Sequence, residues 1–313
     1  MFKNTVFKGV FLVGLGAISY GVLATFVKMA YNQGYTTAEI SCSQFILGII
    51  GLLLINLIQK KRQKTAPLKT SKQNILKLMI AGTSMGFTSI FYYLSVKYIP
   101  VSICIVLLMQ TVWMGVLLEM ILTKMLPSLQ KIISVLIVLV GTILATNLVN
   151  EQFQLNYKGF LFGILAAASF TATMFTAHSV VTTISTVQRT LYMLLGGTLI
   201  VLTYTIFLQN MPFDWSVFPK WGLIVAVFGT ILPPILMNSG FPLTGIGLGS
   251  IISALELPVS VLMAYFLLEE EVNTLQWLGI LLIIIAILLM NLKNLNKFHP
   301  HKVAKEPIPK EVI

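Results

Sequence analysis

Glu256 is the residue whose type and position point most clearly to chemistry. It lies inside a long apolar run, with Ser253 three residues before it and Ser260 four residues after it. A carboxylate within the membrane costs on the order of a few kcal/mol or more unless it is paired, hydrated or protonated, and it commonly marks a functional site. Because these spacings place the three side chains on one helical face, we expect a polar stripe that faces the protein interior. A structural salt bridge and a side chain that snorkels to the membrane surface are the alternatives.

Gln110 and Trp113 form a second candidate group in the first half of the chain. An amide offers hydrogen-bond donors and an acceptor, and an indole offers an apolar wall with one donor. At a spacing of three residues both side chains could face the same cavity as Glu256. Bonding between helices and packing at the membrane interface are the competing interpretations.

Tyr20, Ser19 and His178 complete the candidates for binding a substrate or a proton. A histidine can gain or lose a proton near neutral pH, so His178 could contact either. Lys28 occupies the corresponding position in the first half of the chain, although a lysine near a helix end commonly extends to the membrane surface. We predict no catalytic residue, no metal site and no cofactor.

The composition shows which elements must hold these residues. Of 313 residues 57% are hydrophobic and 10% are charged, whereas soluble domains carry about a quarter charged residues. Apolar runs of roughly 20 residues are long enough to span a bilayer as helices, and they exceed the roughly ten-residue strands of a barrel. We therefore predict an all-α integral membrane protein with about ten transmembrane helices. The predicted segments are 9–30, 38–58, 75–95, 101–122, 129–148, 159–182, 188–209, 220–240, 249–268 and 276–292.

Two stretches of the first half recur in the second half. The segment GVFLVGLGAISYGVLATFVK (9–28) aligns with GFLFGILAAASFTATMFTAH (159–178), and 109–130 aligns without gaps to 255–276. The second alignment makes Gln110 the counterpart of Glu256. Since five helices per repeat reverse the direction of the second copy, we predict inverted repeats, which surround a midplane site in many transporters. The repeats are 9–148 and 159–292.

The basic residues predict the topology and exclude a nucleic-acid surface. Although the net charge is +11, the lysines and arginines fall mainly in alternate connections and do not interleave with aromatic residues. With both termini in the cytoplasm, 17 of the 21 basic residues lie on the cytoplasmic side, as the positive-inside rule requires. We expect a bacterial cytoplasmic membrane protein with residues 1–8 and a disordered tail, 293–313, in the cytoplasm.

Glycine, proline and cysteine positions add three structural predictions. Gly82 with Gly86 has the GxxxG spacing that lets helices approach closely, as does Gly159 with Gly163. The consecutive prolines at 233 and 234 predict a bend in the eighth segment. Cys42 and Cys104 lie inside predicted segments, so we expect free, buried thiols.

At these residues the chain resembles the drug/metabolite transporter superfamily, specifically its EamA-type members. The most specific stretch is ELPVSVLMAYFLLEEEVNTLQWLG (256–279), and SVKYIPVSICIVLL (95–108) is similar to the junction of the third and fourth helices. The first repeat is a divergent copy, since it has no proline at Val112. The resemblance implies export or exchange of metabolites, amino acids or drugs by alternating access without ATP.

The expected function is therefore a secondary transporter, with proton coupling as one form of it. No GxxxxGK[ST] phosphate loop occurs in the sequence, which agrees with the absence of ATP coupling. The expected partners are a small-molecule substrate and the lipid bilayer, without nucleic acid, and the sequence leaves a homodimer open. A lipid-linked sugar flippase, a receptor or scaffold, and an intramembrane enzyme are the alternatives, although no cluster of metal ligands, nucleophile and base supports an enzyme.

Overall fold

In a computed structural model the described part of the chain folds as a bundle of ten long helices, two of them broken. The structure describes residues 2–62, 70–99, 101–145, 156–209, 212–267, 269 and 272–296. Six of the ten helices are uninterrupted and lie near the predicted segments: α1 (Phe2–Asn32), α2 (Thr37–Arg62), α3 (Lys72–Tyr98), α5 (Leu129–Ala145), α6 (Tyr157–Ser179) and α7 (Thr186–Leu208). A seventh, α10 (Thr274–Asn296), runs four residues beyond its predicted end. Residues 297–313 of the predicted disordered tail lie outside the described residues.

The length and hydropathy of these helices fit a multi-pass membrane protein. In the described part of the chain eight spans are long and apolar enough to cross a membrane, and α5 and α10 contribute two shorter apolar helices. Since short connections join consecutive helices, neighbours along the chain run in opposite directions. We call the membrane face at which α1 begins the proximal face and the one at which α1 ends the distal face.

The fourth and ninth helices are broken, which the predicted continuous segments did not include. The fourth consists of α4a (Val101–Leu108) and α4b (Thr111–Thr123), and the ninth of α9a (Ile246–Ser253) and α9b (Glu256–Leu267). Pro258 explains the second break, because its ring excludes the carbonyl of Ala254 from a helical hydrogen bond. In the first break the backbone amide of Gln110 donates to Leu107 and not to Val106. The Gln110 side-chain amide donates to the Val106 carbonyl oxygen instead, at 3.0 Å.

The eighth helix, α8 (Phe218–Thr244), contains wide turns where the sequence predicted a bend. The segments Phe218–Gly222 and Val227–Ile231 are π-helical, and Pro233 and Pro234 follow the second of them. Prolines have no backbone N–H to donate in an α-helical turn, which accounts for an irregular turn beside them. The Thr230 hydroxyl donates to the backbone oxygen of Gln44 at 3.0 Å and thereby joins this irregular segment to α2.

Contacts between helices repeat in the two halves. The pair α1 and α8 packs closely, as does its counterpart α6 and α3, while α5 packs against its own counterpart α10. The predicted alignment also holds for single contacts. Lys131 pairs with Glu119, and the residues 146 positions later, Tyr265 and Trp277, meet edge to face at 6.1 Å. The two five-helix units therefore share a packing pattern as well as a sequence similarity.

Glycines allow the backbones of α3 and α7 to approach each other closely. A methyl group on Gly82 would overlap the backbone of Met193, and one on Gly196 would overlap the backbone of Met79. The GxxxG spacing of Gly82 and Gly86 is confirmed as a packing feature, because a methyl group on Gly86 would also meet α7. Cys42 and Cys104 are free and buried, as predicted.

Candidate functional site

A cavity of about 150 Å³ lies between the two halves of the bundle. It extends from Glu256 and Phe170, near mid-membrane, to Lys28 and Tyr31 near the distal end of α1. We call it the distal cavity. Since one water needs roughly 10 to 15 Å³ on a comparable measure, it could hold about ten waters or a small organic molecule.

Glu256 is the first residue of α9b, and its carboxyl lines the cavity wall. Oε2 is buried and accepts no hydrogen bond from any residue that the structure describes. The salt bridge proposed as an alternative is therefore not formed within those residues, and this oxygen is available to a ligand or a proton.

Two tyrosines share the cavity wall with Glu256. Tyr20 and Tyr92 both line the cavity, as Glu256 does. The Tyr20 ring is fixed edge to face against Phe170, with 6.0 Å between centroids. A carboxyl and two phenols therefore converge on a largely aromatic and aliphatic space, the usual composition of a small-molecule site.

The remaining polar wall comes from α2 and α3. The Tyr93 hydroxyl donates to Gln44 Oε1 at 3.3 Å, and both residues line the cavity. Gly229 lets α8 approach this amide, because a side chain at position 229 would collide with Gln44. Lys28 also lines the cavity, so its side chain lies in the wall toward the distal face. Extension to the membrane surface was one interpretation of this residue from the sequence.

The predicted stripe of Ser253, Glu256 and Ser260 does not run along one continuous helix. The turn at residues 254 and 255 interrupts the helix between Ser253 and Glu256. Ser253 is buried and donates to the Gly249 carbonyl at 2.9 Å, and neither serine lines the cavity. Ser19 is likewise buried and bonds the Leu15 carbonyl at 3.0 Å within its own helix, whereas its neighbour Tyr20 does line the cavity.

Gln110, Trp113 and His178 also lie outside the distal cavity. The Trp113 indole donates to Gln110 Oε1 at 2.8 Å, so these two side chains satisfy each other beside the break in α4. Nδ1 of His178 lies 3.0 Å from the Phe241 carbonyl oxygen and joins α6 to α8 near the proximal face. Their predicted role in binding has no support from this cavity, and each has a structural partner instead.

Sequence reasoning missed Tyr92, Tyr93 and Gln44. Tyrosine is common at membrane interfaces, so a tyrosine pair in α3 gave no distinct signal. Gln44 was the better clue, because an amide in an apolar span needs hydrogen-bond partners. In the described part of the chain no group of three or more His, Cys, Asp or Glu side chains could hold a metal ion.

Comparison with known proteins adds a family and a fold. Residues 7–147 and 157–292 each match the EamA-like transporter family. One solved crystal structure superposes with a TM-score of 0.76 at 13% identity, over 91% of this chain and 98% of that one, a likeness that shows the fold alone. No curated protein sequence matches the chain.

Proposed function

Because the chain belongs to the EamA-like transporter family, we propose that this membrane transporter of small molecules is a secondary transporter that exports or exchanges its substrate. Transport proceeds by alternating access to the distal cavity. The site lies between inverted repeats and beside a broken helix, the arrangement in which secondary transporters hold their substrates. Small metabolites, amino acids and drugs all fall within the size of this cavity.

The unpartnered Oε2 of Glu256 is the observation that carries the proposal. A buried carboxylate without a hydrogen-bond partner is costly, whereas protonation or a cationic or hydrogen-bonding substrate removes that cost. Proton and substrate therefore compete for the same oxygen. Such competition is sufficient for coupling, because the carboxyl releases its proton when substrate binds and takes one up when substrate leaves.

Glu256→Gln tests this coupling. The amide keeps the shape of the side chain but cannot release a proton, so we expect flux driven by a pH gradient in proteoliposomes to fall by about tenfold or more, a change of at least about 1.4 kcal/mol in the limiting barrier. Exchange of substrate for substrate needs no net proton movement and should persist. Glu269→Gln is the matched control, because Glu269 is exposed and lies outside the cavity.

Unchanged gradient-driven flux in a folded Glu256→Gln variant would overturn proton coupling at this residue. Loss of both gradient-driven flux and exchange would instead assign Glu256 to substrate binding alone. A substrate for these assays can be found by thermal stability, because a ligand that binds only the folded protein at 100 times its Kd stabilises it by about 2.7 kcal/mol. Pools of metabolites, amino acids and drugs are the appropriate ligands to screen.

The charge distribution supports a location and an orientation for this activity. We place the protein in a bacterial cytoplasmic membrane with both termini in the cytoplasm, since 17 of the 21 basic residues then face the cytoplasm. The proximal face is then cytoplasmic, and the distal cavity lies toward the outer side of the membrane.

A further inference from the structure

A second, much smaller pocket lies on the proximal side of the distal cavity and is lined mainly by α6 and α8. It adjoins the distal cavity near mid-membrane, where both share Tyr20, Met85, Phe170 and Thr173. Its volume is about 10 Å³, against about 150 Å³ for the distal cavity. Four residues of α6 line it, and each stands 150 positions after a residue of α1 that lines the distal cavity. The pairs are Tyr20 with Phe170, Leu23 with Thr173, Ala24 with Met174 and Val27 with Ala177.

The same correspondence holds for α8. Four of its residues line this proximal pocket, and each stands 149 positions after a residue of α3 in the distal cavity. The pairs are Met85 with Pro234, Thr88 with Met237, Ser89 with Asn238 and Tyr92 with Phe241. The proximal pocket is therefore the repeat counterpart of the distal cavity in a collapsed form.

Helix packing shows what separates the two forms. The proximal pocket is narrow because α6 packs directly against α8. The backbones of their counterparts, α1 and α3, do not approach each other comparably among the described residues. The two helices meet through Tyr31 and Tyr93, whose rings are edge to face at 6.3 Å near the distal ends, and the distal cavity separates them elsewhere. The asymmetry therefore comes from one pair of helices that is closed in the second repeat and open in the first.

Arg189 holds the closed pair together. It is buried in the first turn of α7, and its Nη1 donates to the Asn238 carbonyl of α8 at 3.1 Å. Nη2 donates to the α6 carbonyls of Thr176, at 3.3 Å, and of Ala177, and it reaches Asn238 Oδ1 at 3.3 Å. The partners are carbonyls at the C-terminal end of α6, where the helix dipole favours a cation. The Asn238 amide in turn donates to Thr190 at 2.9 Å.

We propose that the proximal pocket is the closed inner vestibule of this transporter and that Arg189 is the clamp that keeps it closed. The proposal rests on the transport function proposed above. When α6 and α8 separate, the guanidinium loses its carbonyl partners on both helices at once, and the vestibule opens while α1 and α3 close over the distal cavity. Arg189 is a positioning residue in this scheme, because it acts on the helices and lines neither cavity.

Cysteine labelling of paired positions tests the clamp without any known substrate. In a background with Cys42→Ala and Cys104→Ala, Met237→Cys reports on the proximal pocket and Thr88→Cys reports on its distal counterpart. A membrane-impermeant maleimide is added to vesicles of each orientation. With Arg189 present we expect Thr88→Cys to react rapidly and Met237→Cys slowly.

Arg189→Gln should then raise the labelling rate of Met237→Cys by about tenfold or more and lower that of Thr88→Cys, because each lost hydrogen bond to a charged group shifts the equilibrium by about that factor. Arg189→Lys, which keeps the charge, should give a smaller increase. If Arg189→Gln does not yield folded protein, Asn238→Ala in the same assay decides the matter, with an expected increase of severalfold.

Three results would overturn the proposal. One is a folded clamp variant with unchanged rates at both reporters. Another is rapid labelling of Met237→Cys with Arg189 intact. The third is simultaneous labelling of Ile283→Cys, a fully buried position in α10, because it would show general loosening instead of gate opening. An absence of flux in the protein with Glu256 intact would remove the transport proposal but would not change these labelling rates.

Discussion

Three charged side chains within the bundle are stabilised in different ways. Glu256 has a carboxyl oxygen without a partner and faces the distal cavity. Arg189 donates to carbonyls of two helices. Glu39 is buried and accepts hydrogen bonds from the backbone amides of Thr36, at 2.7 Å, and Asp214, at 2.8 Å. Arg189 Nε also lacks a hydrogen-bond partner, but Arg189 lines neither cavity, so Glu256 is the functional candidate.

Glu39 is expected to stabilise the folded protein instead. Its carboxylate closes a capping box with Thr36 at the start of α2 and also holds the connection that precedes α8. Glu39→Ala leaves two amides unpaired, so the free energy of unfolding should fall by about 1 to 3 kcal/mol. Thermal unfolding in detergent would show a lower midpoint, whereas Lys61→Ala, at an exposed position of the same helix, should leave it unchanged. An unchanged midpoint for Glu39→Ala would contradict this role.

At the scale of helices, contacts at glycine are of two kinds, according to whether there is room for a methyl group in place of the glycine hydrogen. Gly82 and Gly196 bring the backbones of α3 and α7 together, since neither position has room for a methyl group. Gly14 in α1 has room, because an added methyl group would lie 3.5 Å from its nearest neighbour, a side-chain carbon of Leu255. The first contact fixes the distance between helices, and the second does not.

Matched glycine substitutions test this distinction. Gly82→Ala should reduce the yield of folded protein sharply or lower its thermal midpoint, because α3 and α7 must move apart to accept the methyl group. Gly14→Ala makes the same chemical change in another spanning helix. We expect it to be tolerated, or to stabilise the protein by up to about 1 kcal/mol through helix propensity. Equal effects of the two substitutions, measured by size-exclusion profile and thermal midpoint, would show that the close approach of α3 and α7 is not required.

At the scale of the whole molecule, the direction of the bundle decides which side the distal cavity serves. The charge asymmetry predicts that the connections near Lys72 and the C-terminus are cytoplasmic and that the connection near Asp214 is on the other side. Reporter fusions after Lys72 and after Ile313 should therefore show activity typical of the cytoplasm, and a fusion after Asp214 the opposite. A fusion after Lys72 that reports the outer side would reverse the bundle and assign the distal cavity to the cytoplasm.

The sequence by itself determined the ten helices and the two repeats, and it indicated Glu256 as the leading site candidate. These features depend on the length of apolar runs, on spacing along the chain and on the cost of a carboxylate in lipid, all of which are local properties. In the structure the offset of the alignment of 109–130 with 255–276 also relates the contact of Glu119 with Lys131 to that of Tyr265 with Trp277.

Only the tertiary structure decided which polar residues reach the distal cavity. Helical spacing predicted Ser253 beside Glu256. In the structure the turn at residues 254 and 255 lies between them, and the buried Ser253 hydroxyl donates to the Gly249 carbonyl. Tyr92 and Gln44 line the cavity because α1 and α3 are separated there. Arg189 can act as the proposed clamp because α6 and α8 pack against each other. Two repeats with the same sequence pattern do not show in which of them the helix pair is open, because that difference arises from long-range packing.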